Sequence, residues 1–160
     1  MVQFNIRPAE QDDAATILDL IKQLADYEKM LDEVVATEEQ IIDHVFVKKY
    51  AEVIIAEEND KPVGFALFFH NFSTFVGKPG IYLEDLFVIP ECRGKGYGKK
   101  LLIELAKIAQ NRNCGRLEWS VLDWNTPAID FYRSLNAKPM DEWTVFRLTE
   151  KEIAELSNKN

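Results

Sequence analysis

The chain has 160 residues, 47% of them hydrophobic, a size at which one compact domain buries roughly 70% of the surface exposed by its unfolded form. Nineteen Lys and Arg against 27 Asp and Glu give a net charge of −8, which disfavours nucleic acids and anionic membranes as partners. The only cysteines, Cys92 and Cys114, are too few for a disulfide framework or, even with both histidines, for a zinc site.

Helix and strand patterns alternate along the chain without a linker or repeat, which predicts a single domain over residues 1–160. The first residues lack a signal-peptide pattern and no apolar run approaches the roughly 18 residues of a membrane span, so we expect a cytoplasmic protein. A short strand, Phe4–Arg7, ends at Pro8, and an amphipathic helix then runs to about Met30. The capping box Thr37-Glu38-Glu39-Gln40 begins a second, shorter helix.

Strand patterns occupy the middle of the chain. Residues 51–57 and 62–70 are β-rich and are separated by the polar residues 58–61, which predicts an antiparallel hairpin. A third strand, Ile81–Val88, carries the adjacent acids Glu84 and Asp85 and ends before Pro90. Because consecutive strand residues face opposite sides of a sheet, we expect these two carboxylates not to act as one dyad.

The last part of the chain predicts three helices and two strands. A strongly periodic helix follows Gly98 and ends near residues 113–115, and Leu117–Leu122 reads as a strand. Thr126 followed by Pro127 predicts the N-cap and first residue of another helix. Residues 144–148 predict a final strand, and the capping box of residues 149–152 begins a terminal helix.

Three alternating glycines, in the sequence Arg93-Gly94-Lys95-Gly96-Tyr97-Gly98, lie between a predicted strand and a helix. Backbone amides can approach a ligand closely at such a turn, and the helix dipole adds roughly half a positive charge there. Basic residues surround the turn in an otherwise acidic protein, which favours a bound pyrophosphate: Arg93, Lys95, Lys99 and Lys100. The spacing matches neither a Walker loop nor the dinucleotide fingerprint. On the residues alone, a flexible turn before a helix is the alternative.

This turn resembles the R/Q-x-x-G-x-G/A loop of GNAT acetyltransferases, and the order of predicted elements is similar to theirs. The resemblance implies a GNAT fold, which is a mixed α/β architecture with a central, mostly antiparallel sheet flanked by helices. It also implies acetyl-CoA as co-substrate and no metal. More narrowly, three segments resemble the spermidine/spermine and thialysine N-acetyltransferases: residues 25–28, residues 82–88 and residues 123–132. This implies acetylation of a small cationic amine, with a diamine or polyamine as the acceptor, by a homodimer.

The resemblance also assigns roles to single residues. Tyr132 would protonate the CoA sulfur, and Glu84 would act on the amine through a water or by orienting it. The positions implied for the cofactor are Leu86, Phe87, Val88, Arg93, Gly94, Lys95, Gly96, Tyr97, Gly98, Lys99, Asn125, Ala128 and Tyr132. The positions implied for the amine are Tyr27, Glu28, Glu84, Asp85, Glu118, Trp119 and Ser120.

Several alternatives stay open at this point. Without the resemblance, Tyr132 is an ordinary core tyrosine and the acids are surface residues. A cysteine acyl-enzyme is disfavoured because neither Cys92 nor Cys114 has a histidine near it in sequence. The acceptor could instead be thialysine or a lysine-like amine, and a domain of this kind could also bind acetyl-CoA without catalysis.

Overall fold

The protein is described by a computed structural model that covers residues 1–159. Its elements, in chain order, are β1 (Phe4–Pro8), α1 (Ala14–Tyr27), α2 (Glu38–Ile41), β2 (Glu52–Glu58), β3 (Lys61–Ser73), β4 (Lys78–Val88), α3 (Tyr97–Asn111), β5 (Leu117–Trp119), α4 (Thr126–Ser134) and α5 (Glu150–Ser157). They form two compact units, the first over residues 1–120 and the second from residue 121 onward. The single domain over residues 1–160 therefore stays a prediction.

The first unit is built on a five-stranded sheet with the strand order β1-β2-β3-β4-β5. The first four strands are antiparallel neighbours, and β5 joins β4 in parallel. Asn59 and Asp60 connect β2 to β3 with φ angles of 51° and 64°, the left-handed values of a tight two-residue hairpin turn. The predicted hairpin and the predicted mixed, mostly antiparallel α/β architecture are both confirmed.

Two helices position the end of β4. The apolar face of α1 packs on the sheet in a buried cluster that includes Ile17, Ile55, Phe65 and Phe87, and each such side chain contributes about 1.5–3 kcal/mol on burial. The buried stripe of α3 packs on β3 and β4. A Cβ on Gly98 of α3 would lie 3.8 Å from Leu86, the residue before Phe87. The end of β4 thus contacts a helix on each face of the sheet.

A local signal sets the start of α2. The Gln40 amide donates to Thr37 Oγ1 at 3.2 Å and the Thr37 amide donates to Gln40 Oε1 at 2.9 Å, which confirms the predicted capping box. From Ile42 to Val47 the helix widens to a π-helix.

Among residues 1–159, no helix is both long enough and apolar enough to cross a membrane.

Three predictions near the C-terminus are wrong. Residues 144–148 form no strand, and the Val145 and Phe146 side chains are 82% and 92% exposed. A strand needs a neighbouring backbone that pairs with its N–H and C=O groups. In the part of the chain described, no backbone pairs with this segment. The helix α4 is capped by Asn125 instead of Thr126, because Asn125 Oδ1 accepts from the Ala128 amide at 3.4 Å. The strand β5 ends at Trp119, three residues earlier than expected.

Candidate functional site

The turn before α3 presents backbone donors to open space. Gly94 and Gly96 have φ angles of 82° and 80°, and a Cβ built on either would meet no atom within 4 Å. Gly96 is the N-cap of α3 and no side chain caps this end, so the amides of the first helical turn have no partner within the helix. Free amides at a helix N-terminus, preceded by left-handed glycines, bind anions. The turn therefore fits the pyrophosphate of acetyl-CoA.

The side chains of this turn are partly engaged elsewhere. Lys95 Nζ lies 2.9 Å from a carboxylate oxygen of Glu58, and the Tyr97 hydroxyl donates to the same carboxylate. These two contacts lower the pKa of Glu58. The Tyr97 ring is buried and stacks on Phe4, with 4.1 Å between ring centroids. The Tyr97 side chain thus supports the turn from β1 and β2, and its backbone amide is the group available to a ligand.

Sequence reasoning missed Glu58, which it treated as part of a polar loop. The pairing of β1 with β2 places Glu58 opposite Phe4, and the stack of Phe4 on Tyr97 then brings the carboxylate to the turn. No local pattern indicates this contact, because Glu58 and Lys95 are 37 residues apart.

The edge of β4 is open beside the turn. β5 pairs with β4 only from Ile81 to Leu83, because β5 ends at Trp119. Residues 86–88 continue to pair with β3 on the other side, and within residues 1–159 no strand pairs with them on the β5 side. An open strand edge can hydrogen-bond an extended ligand. The positions predicted for the acetyl and pantetheine groups, Leu86, Phe87 and Val88, lie on this edge.

A β-bulge lies where β4 and β5 part. Leu67 is opposite Asp85 and Phe68 is opposite Leu83, so Glu84 is an extra residue in β4. Bulges interrupt the alternation of side chains and are frequent next to active sites, where they redirect a side chain. The prediction that Glu84 and Asp85 face opposite sides assumed a regular strand, and the strand is irregular at this point.

Three carboxylates interact at the bulge and the adjoining end of α1. Asp85 is half-buried, and burial together with the charges of Glu84 and Glu28 raises its pKa to about 6. Burial also raises the pKa of Glu28, which follows the last residue of α1. The last turn of α1 contains no basic residue, and a helix C-terminus adds roughly half a negative charge. The negative charge of this region favours a cation, and the raised pKa of Asp85 makes it a candidate functional group.

Tyr27, the last residue of α1, contacts the first residue of the glycine turn. The guanidinium carbon of Arg93 lies 4.6 Å from the centroid of the Tyr27 ring and 5.5 Å from that of the Phe87 ring. Arg93 Nε also donates to the Val88 carbonyl oxygen at 3.3 Å. The side chain of Arg93 therefore connects the glycine turn, the end of β4 and the end of α1.

The remaining amine-side predictions lie on β5 and directly after it. Glu118 accepts from Asn71 Nδ2 at 3.2 Å and lies 3.0 Å from Arg116 Nε. Ser120 Oγ lies 2.8 Å from the Tyr82 hydroxyl, and Trp119 is opposite Leu83 in the sheet. The charge of Glu118 is thus already balanced by Arg116, and these contacts tie the end of β5 to β3 and β4.

The predicted residues of the second unit lie on or just before α4. Ala128 precedes Tyr132 by one turn, so the two share a face of the helix, and Asn125 is the N-cap. Tyr132 is half-buried, and its ring centroid lies 5.7 Å from that of Phe131. Their roles in binding and catalysis stay predictions.

The cysteines and possible metal ligands can be placed as well. Cys92 is a buried free thiol and Cys114 a half-buried one. Within residues 1–159, no three His, Cys, Asp or Glu side chains are arranged to hold a metal ion. Chemistry without a metal stays a prediction.

Comparisons with known proteins agree with this geometry. The family model described as Acetyltransferase (GNAT) family matches residues 17–137. The thialysine N-epsilon-acetyltransferase of Bos taurus is 37% identical over 96% of this chain and 97% of its own length. The spermidine/spermine N(1)-acetyltransferase-like protein 1 of Homo sapiens is 34% identical over 98% of this chain, which matches 24% of that protein. Among solved structures, an integron cassette protein from V. cholerae, 28% identical, matches with a TM-score of 0.81 over 98% of both chains. The chain therefore belongs to the GNAT family of acetyltransferases.

Proposed function

We propose that this protein transfers the acetyl group of acetyl-CoA to a primary amine of a small polycationic acceptor, a diamine or polyamine such as putrescine, spermidine or spermine. The transfer is a direct attack within a ternary complex. The observation that carries the proposal is the group of three carboxylates, Glu28, Glu84 and Asp85, next to the open edge of β4. A positively charged amine is attracted to this group, and the adjacent edge is the place where an acyl donor can lie.

Acetyl-CoA supplies the activated thioester carbonyl. The amides of the glycine turn and of the first turn of α3 bind its pyrophosphate, and the open edge at residues 86–88 binds the extended pantetheine arm. Binding by backbone groups places the thioester beside the bulge of β4. The side chains at the bulge can then act on the second substrate.

An alkylammonium must lose a proton before its nitrogen can attack. Asp85, with its pKa raised to about 6, is mostly ionised at pH 7 and accepts a proton more readily than an ordinary carboxylate. We therefore assign the proton-accepting role to Asp85, acting through a water, and the orientation of the amine to Glu84 at the bulge. Tyr132 of α4 donates the proton that the departing thiolate takes up.

A second positive charge on the acceptor has its own binding region. Glu28 lies at the negative end of α1, directly after Tyr27, where its carboxylate attracts an ammonium group. A remote charge held there orients the reacting nitrogen. We expect a diamine or polyamine to exceed a monoamine of similar length in kcat/KM.

The names of the relatives favour a second candidate acceptor. The full-length match to a thialysine N-epsilon-acetyltransferase fits an acceptor that is an amino acid with a distal amine. Such an acceptor carries a carboxylate as well as ammonium groups, and the three acids of the site repel that carboxylate unless a cation binds it. A polyamine has no such group.

A panel of acceptors with acetyl-CoA, followed by release of free thiol, tests the proposal: putrescine, spermidine, spermine, thialysine and lysine. We expect the highest kcat/KM with a di- or polyamine. A clear preference for thialysine would replace the polyamine with the second candidate. Binding of acetyl-CoA without thiol release for any acceptor would indicate a domain that binds acetyl-CoA without catalysis.

Two substitutions test the role of the carboxylates directly. Glu28→Gln and Glu84→Gln keep the size of the side chain and remove its charge. In Glu28→Gln, kcat/KM should fall about tenfold more with spermidine than with a monoamine, because only spermidine carries the remote charge. In Glu84→Gln, kcat/KM should fall with both acceptors, because both carry the reacting amine. Equal losses for both acceptors in Glu28→Gln would contradict the claim that this carboxylate recognises the remote charge. Glu39→Gln, on α2, is the matched control.

The proposal includes a homodimer. The narrower family likeness implies one, and the exposed apolar residues Trp143, Val145 and Phe146 in the second unit, 74%, 82% and 92% exposed, are typical of a surface covered by another chain. Light scattering at working concentrations should give twice the mass of one chain. A monomer would count against the narrower assignment.

A further inference from the structure

We propose that Arg93 is a positioning residue for the amine side of the site: its guanidinium holds the ring of Tyr27 and, with it, the end of α1 that carries Glu28. The inference rests on the proposed function for its kinetic test. The sequence motif places Arg93 among the residues that bind the cofactor. In the structure its side chain contacts Tyr27 at the end of α1 as well as the end of β4.

The geometry of Arg93 supports this role. The guanidinium carbon lies within 4.6 Å and 5.5 Å of the Tyr27 and Phe87 ring centroids, inside the roughly 6 Å over which a cation is attracted to an aromatic face. Nε donates to the Val88 carbonyl oxygen at 3.3 Å. Phe87 is 4% exposed and belongs to the core. Phe87 and Val88 therefore hold the guanidinium of Arg93 in a fixed position, and the guanidinium in turn restricts the motion of the Tyr27 ring.

The charge of Arg93 also suits this place. The last turn of α1 contains no basic residue, although a helix C-terminus is stabilised by a cation. Asp26 and Glu28 add negative charge at the same end. Arg93 brings a cation to this end from another part of the chain. It can do so without forming an ion pair that would remove Glu28 from the substrate, because its side chain contacts the Tyr27 and Phe87 rings and the Val88 carbonyl oxygen.

Tyr27 needs such a contact because the chain leaves the core immediately after it. Lys29 takes a left-handed φ of 62° and the Met30 amide donates to the Ala25 carbonyl oxygen at 2.8 Å, which closes the helix. The Tyr27 side chain is 39% exposed, and Leu31 and Val35 farther along are 44% and 84% exposed. Burial therefore contributes little to the position of this segment, and the Arg93 stack is one of the directional contacts that hold it.

The first experiment separates the two sides of the site. In Arg93→Ala we expect KM for spermidine to rise about fivefold, while the Kd of CoA, measured by calorimetry, changes less than about twofold. Arg93→Lys keeps the charge but loses the planar stack, so its effect on KM should be intermediate. Arg112→Ala is the matched control, because Arg112 lies over the Phe68 ring at 6.0 Å at the other end of α3. It should leave KM for spermidine unchanged.

The second experiment asks whether Arg93 acts through the ring. The effect of Arg93→Ala on KM should persist in the Tyr27→Phe background, which keeps an aromatic face, and should disappear in the Tyr27→Leu background. An additive result in the Tyr27→Leu background would overturn the proposal. A larger change in the Kd of CoA than in KM for the amine would overturn it as well, since Arg93 would then be a cofactor ligand.

A third measurement does not depend on catalysis. Hydrogen exchange of the amides of residues 27–34 should be faster in Arg93→Ala than in the unsubstituted protein, and unchanged in Arg112→Ala. If no amine is acetylated, the proposed function fails, but this comparison still tests the contact. Unchanged exchange in Arg93→Ala would overturn the positioning role.

Discussion

Two helix ends flank the open end of β4, and they carry opposite charge. The N-terminal end of α3 is positive and presents backbone amides beside glycines, whereas the C-terminal end of α1 is negative and carries Glu28, which interacts with Glu84 and Asp85 of β4. The first suits an anionic cofactor, and the second suits a cationic acceptor. The comparison teaches that one region depends on backbone conformation and the other on side-chain charge, so different substitutions should damage them.

The residue proposed to protonate the leaving thiolate, Tyr132, belongs to α4 and to neither of these helices, and its substitution should have the largest effect. Tyr132→Phe should lower kcat by about two orders of magnitude or more while leaving the Kd of acetyl-CoA and KM for the amine within about twofold. Steady-state kinetics and calorimetry measure these quantities. Tyr50→Phe, at an exposed tyrosine in the first unit, is the control. Near-normal turnover in Tyr132→Phe would remove that residue from the mechanism.

At the three carboxylates Glu28, Glu84 and Asp85, a substitution that changes the charge but not the shape of a side chain should alter activity. Asp85→Asn should lower kcat/KM about thirtyfold at pH 7 and abolish the rise of kcat/KM with pH that is centred near pH 6 in the unsubstituted protein. Glu84→Gln should keep that rise. A persistent rise near pH 6 in Asp85→Asn would assign the titrating group to another residue.

The same substitution has an opposite effect on stability. Because the folded state raises the pKa of Asp85 to about 6 from 3.8, folding favours the protonated carboxyl, and stability falls as pH rises through that range. Asp85→Asn should raise the free energy of unfolding by up to about 3 kcal/mol at pH 7 and by much less at pH 4. Urea denaturation at the two pH values measures the difference. An equal effect at both would contradict the raised pKa.

The glycine turn should respond to a change of shape without a change of charge. Gly96→Val strains a backbone with a φ of 80° and adds a side chain at the turn that we propose binds the cofactor, so we expect the Kd of acetyl-CoA to rise about tenfold or more. The control is Gly77→Val, which carries a similar strain, at a φ of 72°, in the turn between β3 and β4. Equal affinity in the two variants would place the phosphate site elsewhere.

The smallest expected effect concerns the exposed cation of the turn. Glu58→Gln releases Lys95 from its ion pair, and the affinity for CoA should rise about twofold at low salt and return to normal at high salt, because exposed charges are screened. Lys95→Ala should lower the affinity by a similar factor, also only at low salt. Lys48→Ala breaks the ion pair with Asp43 on the chain between α2 and β2 and serves as the control. A salt-independent effect of Glu58→Gln would indicate a structural role for its contact with Tyr97.

The features predicted well from the sequence are those that depend on residues close together in the chain. The capping boxes at Thr37 and Thr149 form as expected, because their partners are three residues apart. The hairpin of β2 and β3 also forms as expected, although its turn consists of Asn59 and Asp60 instead of the predicted loop over residues 58–61. The wrong strand at residues 144–148 shows the limit of this reasoning. Its residues have the right propensity, but a strand also requires a paired neighbour, which propensity cannot supply.

The sequence by itself determined the family, the order of the elements up to β5 and the glycine turn, because backbone propensity and a turn with left-handed glycines act over a few residues. The tertiary structure decided the bulge at Glu84, the raised pKa of Asp85, the ion pair of Glu58 with Lys95 and the stack of Arg93 on Tyr27. Each of these depends on strand register or on burial between distant segments. Register and burial are set by the packing of the whole sheet and its helices, so no local pattern contains them.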